Sequence, residues 1–421
     1  MQIAIETAKL AENVMARCRK LASFSEDPHG TRRTFLSPPM HDVHREITAW
    51  LEPLGTRVSI DAVGNLRALY PGLEVEAPRL LIGSHLDTVP NAGAYDGILG
   101  VVLAAALVKG LGGRKLPYAI ELVGFSEEEG VRFGVPFIGS RALVGRIDHE
   151  LLNLRDAHGV SVKNAIEQFG LNPAEIGRAC VQSDAIGYLE FHIEQGPVLE
   201  KLGLPLAVVD AVAGQSRLEF TFVGRANHAG TTPMGFRLDA VAGAAEWITA
   251  VEREAGSVAD LVATVGSVET MPGASNVIAA EARLTLDVRH AQDEIRTRTV
   301  ENLKVKAEEI ARRRRLSVRY TERMNQPAVT MDAFLSNQAA EAIRKTGSTP
   351  HHMISGAGHD AMILAEQIPA AMIFLRTPGG ISHDPAESVA VEDVEKAIVC
   401  GLHLLDQLAS SPASQTRTHR A

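Results

Sequence analysis

The stretch Arg79-Leu80-Leu81-Ile82-Gly83-Ser84-His85-Leu86-Asp87-Thr88 decides the architecture. Its first five residues form a short apolar run ending in glycine, which reads as a buried strand. A histidine and an aspartate follow at the strand's carboxyl end. A second apolar run, Ala119-Ile120-Glu121-Leu122-Val123-Gly124-Phe125, is soon followed by Glu127-Glu128-Glu129-Gly130. Between the two runs, residues 98–111 read as a buried helix. Strand, helix, strand with ligating side chains after both strands predicts an α/β arrangement, in which sites form beyond the carboxyl ends of the strands.

Working outward, residues 7–21 and about 41–54 have helical periodicity, with a Ser/Pro/Gly-rich loop between them. The character changes near Gly214. Residues 217–223 alternate as a half-exposed antiparallel strand does. Leu238, Val241, Ala242, Ala245, Ile248 and Val251 mark one face of a helix. The 281–289 strand puts Leu284, Leu286 and Val288 on one face and Arg283, Thr285, Asp287 and Arg289 on the other. A long helix over about 292–315 and a strand near 316–321 follow. Residues 214–326 therefore read as a small α+β domain inserted into a first domain of residues 1–213. That domain resumes over 327–421, where the last candidate ligand, His383, lies.

A chain of 421 residues is too long for one ordinary core. Its formal net charge of -9 argues against non-specific nucleic-acid binding, which needs a basic face. The one basic run, Arg312-Arg313-Arg314-Arg315, reads as the end of a helix, where cations complement the dipole. No basic and apolar leader is evident, and the longest apolar stretch, 98–108, is too short to span a bilayer. Cys18, Cys180 and Cys400 lie far apart and form no disulfide or metal framework. The expectation is a cytoplasmic protein with neither membrane nor nucleic-acid partners.

The chemistry lies in residues that only jointly mean something. His85 and Asp87 share a direction if the chain stays extended, so Asp87 can accept the second ring N–H of a metal-bound His85. Alone, the pair reads as an ordinary polar loop. Asp96, before the buried helix, reads either as a helix N-cap or as a carboxylate bridging two cations, with Pro90-Asn91-Ala92-Gly93 turning the chain back. The triple glutamate is either a solvated loop or a ligand beside a general base. The residues alone do not say which of the three plays which part. His192, in His192-Ile193-Glu194-Gln195-Gly196-Pro197, and His383, in Ser382-His383-Asp384-Pro385, complete the set. Imidazole and carboxylate without thiolate suit Zn²⁺, Mn²⁺, Co²⁺ or Ni²⁺. Together these residues predict a two-metal hydrolase.

Eight runs carry a resemblance: G-S-H-L-D-T-V at 83–89, Y-D-G at 95–97, E-E-G-V-R-F at 128–133, H-I-E-Q-G-P at 192–197, A-N-H-A-G-T-T-P-M at 226–234, L-D-V-R-H at 286–290, G-A-G-H-D-A at 356–361 and G-G-I-S-H-D-P at 379–385. Over about residues 10–405 the chain resembles the carbamoylase and allantoate amidohydrolase branch of the di-zinc aminoacylase/carboxypeptidase superfamily. The resemblance implies an α/β di-zinc exopeptidase-like catalytic domain with an inserted α+β lid and dimerisation domain, in a homodimer. It implies two divalent ions per subunit, Zn²⁺ first, one held by His85 and His192, the other by Glu129 and His383, with Asp96 bridging. Its frame makes Glu128 the general base; a shifted frame would move base and ligand to Glu127 and Glu128. His228 would stabilise the oxyanion from the lid, in this family often from the partner subunit. Arg289 would grip a substrate carboxylate, although an ion pair with Asp287 competes for it. Gln195, Asn276 and the backbone at Gly358 would contact substrate, while His359 reads as structural. Arg376 would meet a second polar arm of the substrate or pair with Glu387 on the surface. The implied reaction is cleavage of the ureido C–N bond of an N-carbamoyl-L-amino acid or allantoate, releasing ammonia and carbon dioxide. An aminoacylase or dipeptidase using the same centre is the alternative, and a non-catalytic binding protein on this fold a remote one.

Overall fold

The structure is a computed structural model and describes residues 2–181 and 184–411, the side chains of residues 2–5 excepted. The chain forms two compact units. The first takes in Met1–Asp210, Met331–Met353 and His359–Ala421, as far as these are described; the second is Ala211–Thr330 with Ile354–Gly358. The linear reading assigned residues 354–358 to the catalytic part. They group with the second unit because Ala213 N donates to Ser355 O at 2.9 Å and Arg289 Nη1 to Gly356 O at 2.6 Å.

The first unit is built on a mixed sheet. Strand Arg79–His85 lies parallel to Ala119–Phe125 on one side and to Ala185–Ile193 on the other. Ala370–Leu375 continues the parallel run beyond Ala185–Ile193, followed by antiparallel Leu206–Val212. At the opposite side, Leu66–Tyr70 and then Arg57–Ile60 are antiparallel. Every residue of Ala119–Phe125 is buried, as expected of a parallel strand covered on both faces. Helix Ile98–Gly110 is apolar all round because it packs against the sheet and against helices Gln2–Ala22 and Val391–Ala409. The second expected helix runs over Pro39–Leu51, since proline is well suited to the first helical position. A 3₁₀ turn, Glu52–Leu54, then ends at left-handed Gly55. No helix among the described residues is long and apolar enough to cross a membrane.

The second unit is an antiparallel sheet with helices Ala240–Ser257 and Asp293–Arg314 on its apolar face. Glu281–His290 pairs with Gly214–Val223, which pairs with Ser317–Gln326. Leu284, Leu286 and Val288 are buried with Phe220, Phe222 and Trp247, while Arg283 and Thr285 are exposed. Short strands at Val262–Thr264, Val268–Met271, Asn227–His228 and Val277–Ile278 were not legible beforehand, being too brief for a period of two to show. Glu246 on the first helix absorbs part of the basic run by pairing with Arg313 and, at 2.8 Å, with Arg314.

Candidate metal centre

Four of the expected ligands leave the carboxyl ends of adjacent parallel strands. His85 ends Arg79–His85, His192 lies one residue before the end of Ala185–Ile193, Glu129 follows Ala119–Phe125, and His383 follows Ala370–Leu375. Their side chains converge on Asp96. One Asp96 oxygen, Oδ1, lies 3.1 Å from His192 Nε2 and 3.7 Å from His85 Nε2. The other, Oδ2, lies 3.3 Å from His383 Nε2, which is itself 3.7 Å from Glu129 Oε1. Asp96 is not the helix N-cap; Gly97 is, at φ 66. A Cβ on Gly97 would sit 2.4 Å from the His85 ring, so only glycine lets the helix start this close to the cluster.

The imidazoles are oriented from behind. His85 Nδ1 contacts the main-chain oxygen of Asp87 at 3.0 Å, and His192 Nδ1 that of Ile193 at 2.9 Å. Both rings thus carry a proton on Nδ1 and turn Nε2 inward to Asp96, the nitrogen that would bind metal once its own proton is displaced. The Asp87 carboxylate is farther from His85, at 3.4 Å. It instead accepts the main-chain N–H of Glu128 at 2.9 Å and of Glu129 at 3.1 Å, holding both glutamates in place. Glu127 turns away: its Oε1 accepts from Gly130 N, and it joins none of the metal-sized donor groups, whereas Glu128 and Glu129 do.

Charge completes the argument. Burial would raise the Asp96 carboxyl, yet hydrogen bonds with His192, His383 and His85 hold it well below the usual range. Burial pushes Glu128 well above that range, and burial followed by repulsion from Asp96 pushes Glu129 to about 7. Several buried carboxylates crowded this closely are costly without positive charge among them, whether imidazolium or a metal ion. The donor atoms of each group lie within 4.8 Å of one another, a spacing one ion can share. The residues fit divalent metal on nitrogen and oxygen donors.

Gln195 also enters the cluster. Its Nε2 donates to Asp96 Oδ2 at 3.0 Å and to Ser382 Oγ at 3.1 Å, while its buried Oε1 has no partner among the described residues. Like His383, it is held in the left-handed region, at φ 59 and 57 respectively. His359 packs its ring against His192, with centroids 4.5 Å apart.

Several supports went unseen in the sequence. Glu387 is buried and accepts the N–H of Tyr95 and Asp96 at 2.9 and 3.0 Å. It is therefore no surface partner for Arg376, which forms two 2.8 Å bonds with Asp393. Glu190 accepts from Ser84 Oγ and Ala361 N, and Asp360 from Ser140 Oγ, beneath the cluster. Fully buried Arg33 donates to Leu86 O at 2.6 Å, bracing the turn after His85. Of these supports, only Asp360 lies in one of the runs quoted above, at 356–361, and nothing in that run marks it as a support.

His228, Asn276, Arg289 and Gly358 belong to the second unit. His228 is exposed, and its Nδ1 accepts from the N–H groups of Gly230 and Thr231, which leaves the proton on Nε2. Asn276 is exposed, and its main-chain oxygen accepts from Ala229 N. The competing pair of Arg289 exists: Nε and Nη2 hold Asp287 at 2.8 and 3.0 Å. With Nη1 on Gly356, two of the five guanidinium N–H donors stay uncommitted.

Comparison with known proteins agrees with this geometry. The profile of Peptidase family M20/M25/M40 matches residues 81–407. The chain is 37% identical over 404 residues to an N-carbamoyl-L-amino acid amidohydrolase of Geobacillus stearothermophilus, covering 94% of this chain and 98% of the relative. It is 37% identical over 440 residues to an allantoate deiminase of Arabidopsis thaliana, covering 96% and 83%. A hydantoinase/carbamoylase family amidase from Burkholderia multivorans superposes with a TM-score of 0.90 at 29% identity, over 96% of this chain and 98% of that one. The fold, the cluster and these relatives together define a hydrolase acting on C–N bonds. The chain belongs to the M20 family, in its hydantoinase/carbamoylase branch.

Proposed function

We propose that this protein hydrolyses the ureido C–N bond of a ureido acid, either an N-carbamoyl-L-amino acid or allantoate. The observation that carries this reading is the convergence of three imidazole Nε2 atoms and Glu129 on the two oxygens of Asp96, with buried Glu128 beside them. Relatives named for both substrates cover most of the chain.

His85, His192, Asp96, Glu129 and His383 would hold two divalent ions, zinc being the first choice for this donor set. Cations bound there polarise the carbamoyl oxygen and bring the pKa of water to about 7. Glu128 takes a proton from the attacking water and returns one to the departing nitrogen; burial raises its proton affinity, which favours that role. The unpartnered Oε1 of Gln195 suits a donor such as the carbamoyl NH₂. His228, with its proton on Nε2, is in the correct tautomer to donate to an oxyanion. The free Arg289 donors, with Asn276 and the Gly358 backbone, take the carboxylate. Collapse of the adduct releases ammonia; the carbamate left behind loses carbon dioxide and yields the amine.

Arg376 has no part in this reading, because Asp393 already takes its fork. We also propose a cytoplasmic homodimer joined through the second unit, where strand Ser317–Gln326 is a mostly exposed sheet edge.

The test is ammonia release by metal-reconstituted protein from allantoate, ureidoglycolate, N-carbamoyl-β-alanine and N-carbamoyl-L- and D-amino acids. N-acetyl amino acids and dipeptides are followed by amine release. Turnover of a ureido acid supports the proposal. Activity confined to acyl or peptidyl substrates overturns the ureido reading and leaves the metal centre standing.

A further inference from the structure

The polar face of the second unit's sheet carries a set of charges centred on Asp287. Asp287 and Arg289 lie two apart on strand Glu281–His290 and so share that face. Arg217 lies directly opposite Asp287 on strand Gly214–Val223. Arg289 takes the Asp287 carboxylate side-on, through Nε and Nη2 at 2.8 and 3.0 Å. Arg217 Nε donates to the same carboxylate at 2.9 Å, and its Nη2 reaches Gln215 Oε1 at 3.4 Å. Partial burial would raise the Asp287 carboxyl, yet the bonds from Arg289 and then Arg217 hold it below the usual carboxylate range.

This arrangement does little for stability. The Arg217 and Asp287 side chains are 47% and 25% exposed, and ion pairs in water contribute little. Its consequence is a charge balance. Asp287 alone would cancel Arg289, leaving an aligned guanidinium with no net pull on an anion. Two guanidiniums sharing one carboxylate leave the trio with a net positive charge. Arg217 pairs with no second carboxylate among the described residues. Glu219, two residues along on the same face, is already held by Arg283 at 3.6 Å and Arg323 at 3.0 Å. Arg289 is also fixed in direction. Its Nη1 donates to Gly356 O at 2.6 Å, so one N–H stays free on each Nη, a pair that a carboxylate can take bidentately.

We infer that Arg217 is a positioning residue for substrate binding. By sharing Asp287 with Arg289, it restores the charge that Asp287 would otherwise cancel while Asp287 still aligns the receiving guanidinium. The inference rests on the reading above of Arg289 as the group that takes the substrate carboxylate.

The test is calorimetric binding to zinc-reconstituted, full-length Glu128→Gln protein, so that turnover plays no part. The ligands are N-carbamoyl-L-leucine and N-acetyl-L-leucine, each compared with its uncharged carboxamide. Each acid that binds should bind more tightly than its carboxamide. Adding Arg217→Gln should weaken the acid about three- to tenfold, the worth of one further unit charge in a half-solvated site, and leave the carboxamide within about twofold. Adding Arg217→Lys instead should keep the acid within about twofold, because the charge is retained. Tm unaltered in both variants is the check on folding. Equal losses for acid and carboxamide would show a structural role and overturn the inference. So would an acid affinity indifferent to Arg217→Gln, a lysine that fails to rescue, or no acid binding in preference to its carboxamide. Which acyl group is recognised, carbamoyl or acetyl, bears on the ureido reading alone, because the acid-to-carboxamide comparison is made within each pair.

Discussion

The Nε2 atoms of His85 and His192 lie 3.5 Å apart, each ring held from behind by a main-chain carbonyl. Two lone pairs at that distance repel unless a proton or a cation lies between them. Metal binding should therefore be tight and shared. His85→Ala or His192→Ala should each abolish activity and cost at least one equivalent of metal, read by elemental analysis after dialysis. A full metal complement in either variant would remove that histidine from the ligand set.

Glu128→Gln should separate chemistry from binding. Its main-chain N–H stays on Asp87, so the geometry around Glu129 is preserved. We expect near-normal metal content and kcat reduced about 10²–10⁴-fold, the usual worth of a general base. Substantial remaining activity would move the base to Glu127, whose carboxylate faces Gly130.

Arg289→Ala should raise KM for carboxylate substrates about 10- to 100-fold, the worth of hydrogen bonds to a charged group. Asp287→Asn is the companion variant, since Asp287 holds Arg289 and Arg217 together. It should weaken binding less than Arg289→Ala does. An unchanged KM in Arg289→Ala would show that the Asp287 pair is its whole role.

The metal-free protein should lose stability as pH rises. Glu129 and Glu387 are both raised to about 7, chiefly by burial and then by Asp96. Unfolding returns them to about 4.5, so between these values the folded state holds the extra protons. The stability they contribute is complete below about 4.5 and gone above about 7. Asp96, shifted downward, acts only at more acid pH. Thermal denaturation with chelator should give a lower Tm at pH 7.5 than at pH 5.5. Saturating Zn²⁺ should reverse that order, because the bound carboxylate stays deprotonated. A chelated protein equally stable at both values would count against this account.

Arg376→Met should destabilise without touching catalysis. It leaves the buried Asp393 carboxylate unpaired, for a loss of about 1–2 kcal/mol once the partial exposure of Arg376 is allowed for. Urea denaturation reads the loss; kcat/KM for allantoate and for N-carbamoyl-L-amino acids should both hold. A selective fall for allantoate would restore Arg376 to the substrate site.

The parts legible in the sequence are those where one residue type at one spacing has a single physical use. The apolar runs at 79–83 and 119–125 could only be buried strands with their side chains aimed at a site beyond them. The alternation over 281–289 could only be a one-faced strand. Imidazole and carboxylate without thiolate narrow the choice of metal on their own. Tertiary structure decided what depends on which chains meet. Asp87 does partner its near neighbour His85, through its main-chain oxygen at 3.0 Å and its carboxylate at 3.4 Å, but nothing in the sequence showed that the carboxylate also reaches across to the amides of Glu128 and Glu129. Arg376 found Asp393 on the following helix rather than Glu387, and Glu387 turned inward to hold Asp96. Such partnerships leave no period in a linear chain. They are set by packing, which brings residues hundreds of positions apart within hydrogen-bond reach and excludes the water that would otherwise satisfy them.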